Sequence, residues 1–117
     1  MAKILIADDA AFMRMRSSTL LKELGHEVVE ASDAEAVSKF KSEHPDAVLL
    51  DITMPVMDGL EALRTILADD PNARVAMVTA MGQQQIIMEA IKAGARDFVV
   101  KPFDADRIQA ALWKLVA

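Results

Sequence analysis

Residues 45–59 read PDAVLLDITMPVMDG. Within them Ala47 to Leu50 is a short, unbroken apolar run between a proline turn and an acidic residue, the pattern of a strand covered on both faces. It ends at Asp51, and residues 52–58, with Pro55, read as a loop. The same unit recurs along the chain. Ile4 to Ala7 runs into Asp8 and Asp9, Glu27 to Ala31 is EVVEA, Arg74 to Val78 ends at Thr79, and Asp97 to Val100 ends at Lys101-Pro102. Helical spacing fills the gaps. Ala11 to Leu24 carries Met13, Leu20, Leu21 and Leu24, and Gly25 stops it. A second helix, capped by Ser32 or Asp33, carries Ala36, Val37 and Phe40 and ends before Pro45. Gly59 opens a third through Leu63 and Ile66, Gln83 to Ala93 is a fourth closed by Gly94, and Asp104 caps a fifth through Ile108, Leu112 and Leu115. Strict strand–helix alternation predicts a parallel sheet with helices on both faces and right-handed crossovers.

Composition narrows the class. The 117 residues are 53% hydrophobic and 26% charged, a globular balance, and the length is that of one domain. There is no cysteine, which excludes a disulfide framework and thiolate metal sites. The net charge of −5 opposes non-specific binding to nucleic acid or to an anionic membrane. No apolar run reaches the length of a membrane span, and with two aspartates within its first ten residues the N-terminus is not expected to be a signal peptide. A cytoplasmic monomer is the expectation. Neither a GxGxxG nor a GxxxxGK[ST] run is present, which counts against a nucleotide-binding module.

Parallel sheets of this kind bind ligands beyond the carboxyl ends of their strands. The predicted strands end on Asp8 and Asp9, on Asp51, on Thr79 and on Lys101. Three carboxylates brought to one edge repel one another, and a divalent cation relieves that repulsion. Hard oxygen ligands in a wet crevice favour Mg²⁺, which commonly serves phosphate chemistry. An aspartate is itself a nucleophile for phosphoryl transfer, and Lys101, Thr79 and Mg²⁺ are suited to the charge that develops. Each residue alone has a plain reading as a cap, a turn former or a surface lysine. Their joint placement at strand ends is what points to a site.

Four motifs then carry a resemblance: ILIADDAAFMRM (4–15), LLDITMPVMDG (49–59), VTAMGQQ (78–84) and GARDFVVKPF (94–103). Across all 117 residues the chain resembles the receiver domain of two-component response regulators, and within that family its single-domain chemotaxis members. The resemblance implies a single-domain (βα)5 three-layer α/β sandwich with a flavodoxin-like sheet of order 2-1-3-4-5, and no output domain. It implies Asp51 as phosphoacceptor and Asp8, Asp9, Asp51 and the Thr53 backbone carbonyl around Mg²⁺. Lys101 would pair with the phosphoryl oxygens, Thr79 would hydrogen-bond one of them, and the Lys101-Pro102 bond would be cis. Thr79 and Phe98 would form the switch. Partners would read the face of helix four, strand five and helix five, with Ile86, Ile87 and Phe98 on it. They would be a CheA-like sensor histidine kinase as donor, a flagellar switch or adaptor protein as target, and a separate phosphatase. The implied protein is a phosphorylated signalling switch with weak self-dephosphorylation and not an enzyme.

Departures from the family pattern sharpen this. Phe98 stands where a tyrosine is frequent, so an outer hydroxyl contact to a partner is lacking. Thr53 and Met81, two residues beyond Asp51 and Thr79, would flank the path of hydrolytic water, and neither positions water as a carboxylate or amide would. Two alternatives share the site. A phosphorelay shuttle would pass the group on to a histidine phosphotransfer protein. A Mg²⁺-dependent aspartyl-phosphate hydrolase would need a second acid at position 53, which is threonine. Elsewhere, Met88 or Ile86 is expected to be partly exposed, Trp113 and the eight methionines to be packing, and His26 and His44 to lie at the surface.

Overall fold

The computed structural model describes residues 2–8, 10–32, 35–51, 59–79, 84–100 and 105–116. Their elements alternate: β1 Lys3–Ala7, α1 Ala11–Glu23, β2 Glu27–Ala31, α2 Ala36–Glu43, β3 Ala47–Asp51, α3 Gly59–Asp69, β4 Val75–Thr79, α4 Gln84–Ala93, β5 Asp97–Val100 and α5 Ala105–Val116. The strands form one sheet of order β2-β1-β3-β4-β5, every neighbouring pair parallel. The order implied by the family resemblance is the order found.

Side chains leave a strand on alternate faces, so each central strand feeds two cores. From β1, Leu5 and Ala7 join Val48, Leu50, Val75 and Met77 on one face, where Phe40 of α2, Leu63 and Ile66 of α3 and Ala90 of α4 cover them. On the other face Ile4, Ile6, Leu49 and Val99 meet Leu21 of α1 and Ile108, Leu112 and Leu115 of α5. Every residue of β3 and β4 is buried, which is why these strands read as unbroken apolar runs. β2 is an edge and carries Glu27 and Glu30 exposed, charges that discourage pairing with another chain.

The helix ends obey local chemistry with one correction. Gly94 ends α4 at φ +121°, a left-handed turn that requires glycine; a Cβ there would lie 2.8 Å from Leu67 Cδ1 of α3, a methyl at the end of a side chain that can shift aside. His44 takes the left-handed cap of α2 at φ 49°, ahead of Pro45. Among the described residues Ser32 makes no side-chain cap bond to α2, and its amide donates to Glu35 Oε1 at 3.2 Å, the reciprocal half of a capping box. The Ser32 hydroxyl donates to Glu35 Oε1 at 3.0 Å while the Glu35 amide donates to the Ser32 carbonyl at 3.1 Å. Glu35 is the N-cap, without a side-chain cap bond. The Ser32 backbone and hydroxyl bonds hold the Glu35 carboxyl below its ordinary range. Asp33 lies outside the described residues. His26 is also more than surface: its Nδ1 accepts from the Ala2 amide at 3.2 Å, fastening the start of the chain to β2.

Lys3 organises the amino edge of the sheet. Its Nζ lies 3.0 Å from Glu43 Oε1 and 3.8 Å from Glu27 Oε2, and its amide donates to Asp46 Oδ2 at 2.8 Å. The hydrogen bond from Lys3, and then its charge, hold the Glu43 carboxyl below the ordinary 4.5. A carboxyl depressed on folding contributes stability that is present above its unfolded pKa and is lost as pH falls through the folded one. Glu43→Gln is therefore expected to lower the urea midpoint slightly at neutral pH and to match the wild type in acid. Midpoints measured from pH 7 downward check this; a gap that persists in acid would contradict it.

Candidate functional site

The register of the central strands brings the polar strand ends together. Ala7 pairs with Leu50, so Asp8 follows β1 at the level where Asp51 closes β3. Asp51 pairs with Val78, and Thr79 is one step beyond on β4. Neighbouring strands lie about 4.8 Å apart, so these three residues occupy one short stretch of the carboxyl edge. They are nearly closed to water: Asp8 and Asp51 are 6% exposed and Thr79 is 0% exposed. Two carboxylates buried at neighbouring strand ends work against stability unless a positive group compensates, a pattern found at functional sites.

Asp8 is held at three atoms. Its amide donates to the Ala31 carbonyl of β2 at 3.2 Å, and its Oδ1 accepts from the Ala10 amide at 2.9 Å. Its carbonyl accepts from the Arg14 guanidinium of α1. Arg14 Nε in turn lies 4.0 Å from Glu30 Oε1 on β2. Arg14 thus braces the turn that follows β1 from the first turns of the next helix. Strand-end reasoning does not single out Arg14; the available signal is a cation six residues past Asp8.

Comparison with known proteins decides the family. Residues 4–113 match the response regulator receiver domain family. The chain belongs to that family. It is 54% identical over 116 residues to the chemotaxis protein CheY of Listeria monocytogenes, covering 97% of this chain and 98% of the relative. It superposes with a TM-score of 0.93 and 34% identity on NtrX from Brucella abortus, covering 98% of this chain and 26% of that one. A chain of the CheX-CheY-BeF3-Mg²⁺ complex from Borrelia burgdorferi matches with a TM-score of 0.91 at 34% identity, covering 98% of this chain and 89% of that one.

Within this receiver domain the donor set fits a hard cation. Asp8 and Asp51 offer anionic oxygens from adjacent strands, the ligand type Mg²⁺ takes. Among the described residues no group of three or more His, Cys, Asp or Glu side chains is placed to hold a metal ion. Asp9, Thr53, Met81, Lys101 and Pro102 lie outside the described residues. A cleft of about 470 Å³ lined by Phe40, Lys41, His44, Pro45, Asp69 and Asp70 sits where α2 and α3 end, at the opposite pole of the sheet.

The remaining predicted residues fall around β5. Phe98 is half-buried and packs against the core beneath α2, α3 and α4. Its carbonyl accepts from the Arg107 guanidinium of α5. Ile86 and Ile87 are half-buried against the same core. The exposed apolar residues of α4 are Met88, at 61%, and Ile91, at 44%. Trp113 departs from the packing role expected of it, because it is 73% exposed on the outer side of α5 and packs no core. Two methionines also depart from core filling: Met15 and Met88 are exposed, whereas Met77 is fully buried. Among the described residues no helix is long and apolar enough to cross a membrane.

Proposed function

We propose that this receiver domain is a response regulator of chemotaxis type, whose Asp51 accepts a phosphoryl group from the phosphohistidine of a CheA-like sensor kinase in the cytoplasm. The observation that carries the reading is the meeting of Asp8, Asp51 and Thr79 on one buried stretch of sheet edge. High identity to CheY over nearly the whole chain supports the chemotaxis role. The Borrelia complex, with CheY, BeF3 and Mg²⁺, supports a Mg²⁺-dependent acceptor.

In the proposed reaction an Asp51 carboxylate oxygen attacks phosphorus in line. The new O–P bond forms as the P–N bond to the donor imidazole breaks, and the imidazole leaves with the bonding pair. Asp8, Asp9, Asp51 and the Thr53 carbonyl would hold Mg²⁺, whose chemistry there would be to neutralise charge on the phosphoryl oxygens. Lys101 pairs with one of those oxygens, and the Thr79 hydroxyl donates to another. Movement of Thr79 frees space that the Phe98 ring takes up, and this resets the face formed by α4, β5 and α5, including Ile86 and Ile87, for a flagellar switch or adaptor protein. The test is incubation with acetyl phosphate and Mg²⁺: one phosphoryl group is expected on the peptide that contains Asp51, and none on any other.

The acyl phosphate is expected to be long-lived, with a separate phosphatase to remove it. Thr53 and Met81 offer no base to orient water for attack on the aspartyl phosphate. Met81→Glu combined with Thr53→Asn is expected to shorten its half-life by about tenfold or more. Decay of the labelled protein after the phosphodonor is removed measures this, and an unchanged half-life would refute it.

A further inference from the structure

Asp97 opens β5 and shares the sheet face of Val99, beneath α5. It is 7% exposed, and among the described residues its Oδ2 has no hydrogen-bond partner. Two cations of α5 stand over it. Arg107 Nη2 lies 3.7 Å from Oδ1 and Lys114 Nζ lies 3.9 Å from Oδ2. Seven residues is two helical turns, so the two cations share one stripe of α5. A buried carboxylate with one oxygen unbonded is a poor source of stability, which directs attention to what the arrangement positions. The same Arg107 Nη2 also donates to the carbonyl of Phe98. β5 is an edge strand paired only with β4, so this bond occupies its open side. One guanidinium therefore touches the buried carboxylate on one face and the backbone of the residue whose ring packs on the other face.

We infer that Arg107 is a positioning residue of the switch: by holding the Phe98 carbonyl together with the Asp97 carboxylate it ties β5 to α5, so that resetting Phe98 also moves α5. The inference rests on the reading that phosphorylation of Asp51 reaches Phe98. It deepens that reading by naming the link between two elements of the partner-binding face. Coupling of this kind needs a physical connection that both elements share, and Arg107 is one. Lys114 supplies the control, because it faces the same carboxylate and its ion pair does not involve the Phe98 carbonyl.

The experiment uses the ¹⁵N-labelled full chain in two arms. In the free protein, Arg107→Gln is expected to speed amide exchange across residues 97–100 by about tenfold, whereas Lys114→Gln changes it by less than about threefold and Arg107→Lys falls between them. On addition of beryllofluoride and Mg²⁺, the wild type is expected to shift the amides of Thr79, Phe98 and α5. In Arg107→Gln the Thr79 shift persists and the α5 shifts fall to about a third or less, while Lys114→Gln behaves as wild type. Equal effects of the two Gln variants would overturn the inference, leaving only charge compensation at Asp97. A responding Thr79 with undiminished α5 shifts in Arg107→Gln would overturn it alone. A wild type whose Thr79 amide does not respond would overturn the phosphoacceptor reading, and the transmission with it.

Discussion

Asp51→Asn is expected to leave a folded protein that takes up no phosphoryl group from acetyl phosphate and Mg²⁺, under conditions in which the wild type gains the mass of one. The two side chains are nearly the same size, and Asp51 is 6% exposed at the end of a fully buried strand, so the packing around β3 survives the change. What changes is the oxygen. A carboxylate oxygen carries the charge and electron pair that attack phosphorus, and an amide oxygen lacks that nucleophilicity. The same substitution removes one of two carboxylates that sit on adjacent strands, Asp8 being the other. Without Mg²⁺ the variant is therefore expected to unfold at a slightly higher urea concentration than the wild type. Intact-mass spectrometry and a urea titration read both results on one preparation. A phosphoryl group still gained by the Asn variant would place the acceptor elsewhere and end the proposed function. A wild type that gains none would do the same.

The second large effect concerns the scaffold that places Asp51. Leu63→Ala is expected to cost about 3–5 kcal/mol, because Leu63 is 0% exposed and lies in the core with Leu5, Leu50, Ile66 and Met77. Leu50 is the residue that precedes Asp51 on β3. A cavity beside it removes dispersion contacts as well as apolar burial. Domains of this size are stable by about 5–15 kcal/mol, so the loss is about a fifth or more of the total. Trp113→Ala is the contrast. It deletes a larger side chain, yet one that is 73% exposed, and is expected to change stability by no more than about 0.5 kcal/mol. Urea midpoints at constant slope read both changes. A Trp113→Ala loss as large as that of Leu63→Ala would mean that the indole covers apolar surface in solution.

The strand ends are legible in the sequence because they are local. An unbroken apolar run followed by an acidic residue, a hydroxyl or a lysine needs no partner to be recognised, and a parallel sheet sends every such ending to one edge. Asp8, Asp51 and Thr79 are therefore grouped by their positions along the chain, and the register of β1, β3 and β4 confirms their alignment. The helix stops at Gly25 and Gly94 are legible for the same reason, since a left-handed turn is a property of one residue. The expected Ser32 cap is seen among the described residues only in its reciprocal half: the Ser32 amide donates to Glu35 Oε1, and the hydroxyl, which has competing local partners, donates to the same carboxylate.

The chain by itself determined how many strands and helices alternate, which residues end the strands, and which faces are apolar, since periodicity and turn chemistry act within a few residues. Only the tertiary structure decided how each helix is rotated about its axis and what its polar side chains reach. Leu112 and Trp113 are neighbours on α5, yet one is 2% exposed and the other 73%, because adjacent helical residues point about 100° apart and packing on the sheet chose between them. The grip of Arg14 on the Asp8 carbonyl and that of Arg107 on Asp97 and Phe98 arise in the same way. Both depend on where a whole helix comes to rest, and burial of the core settles that position.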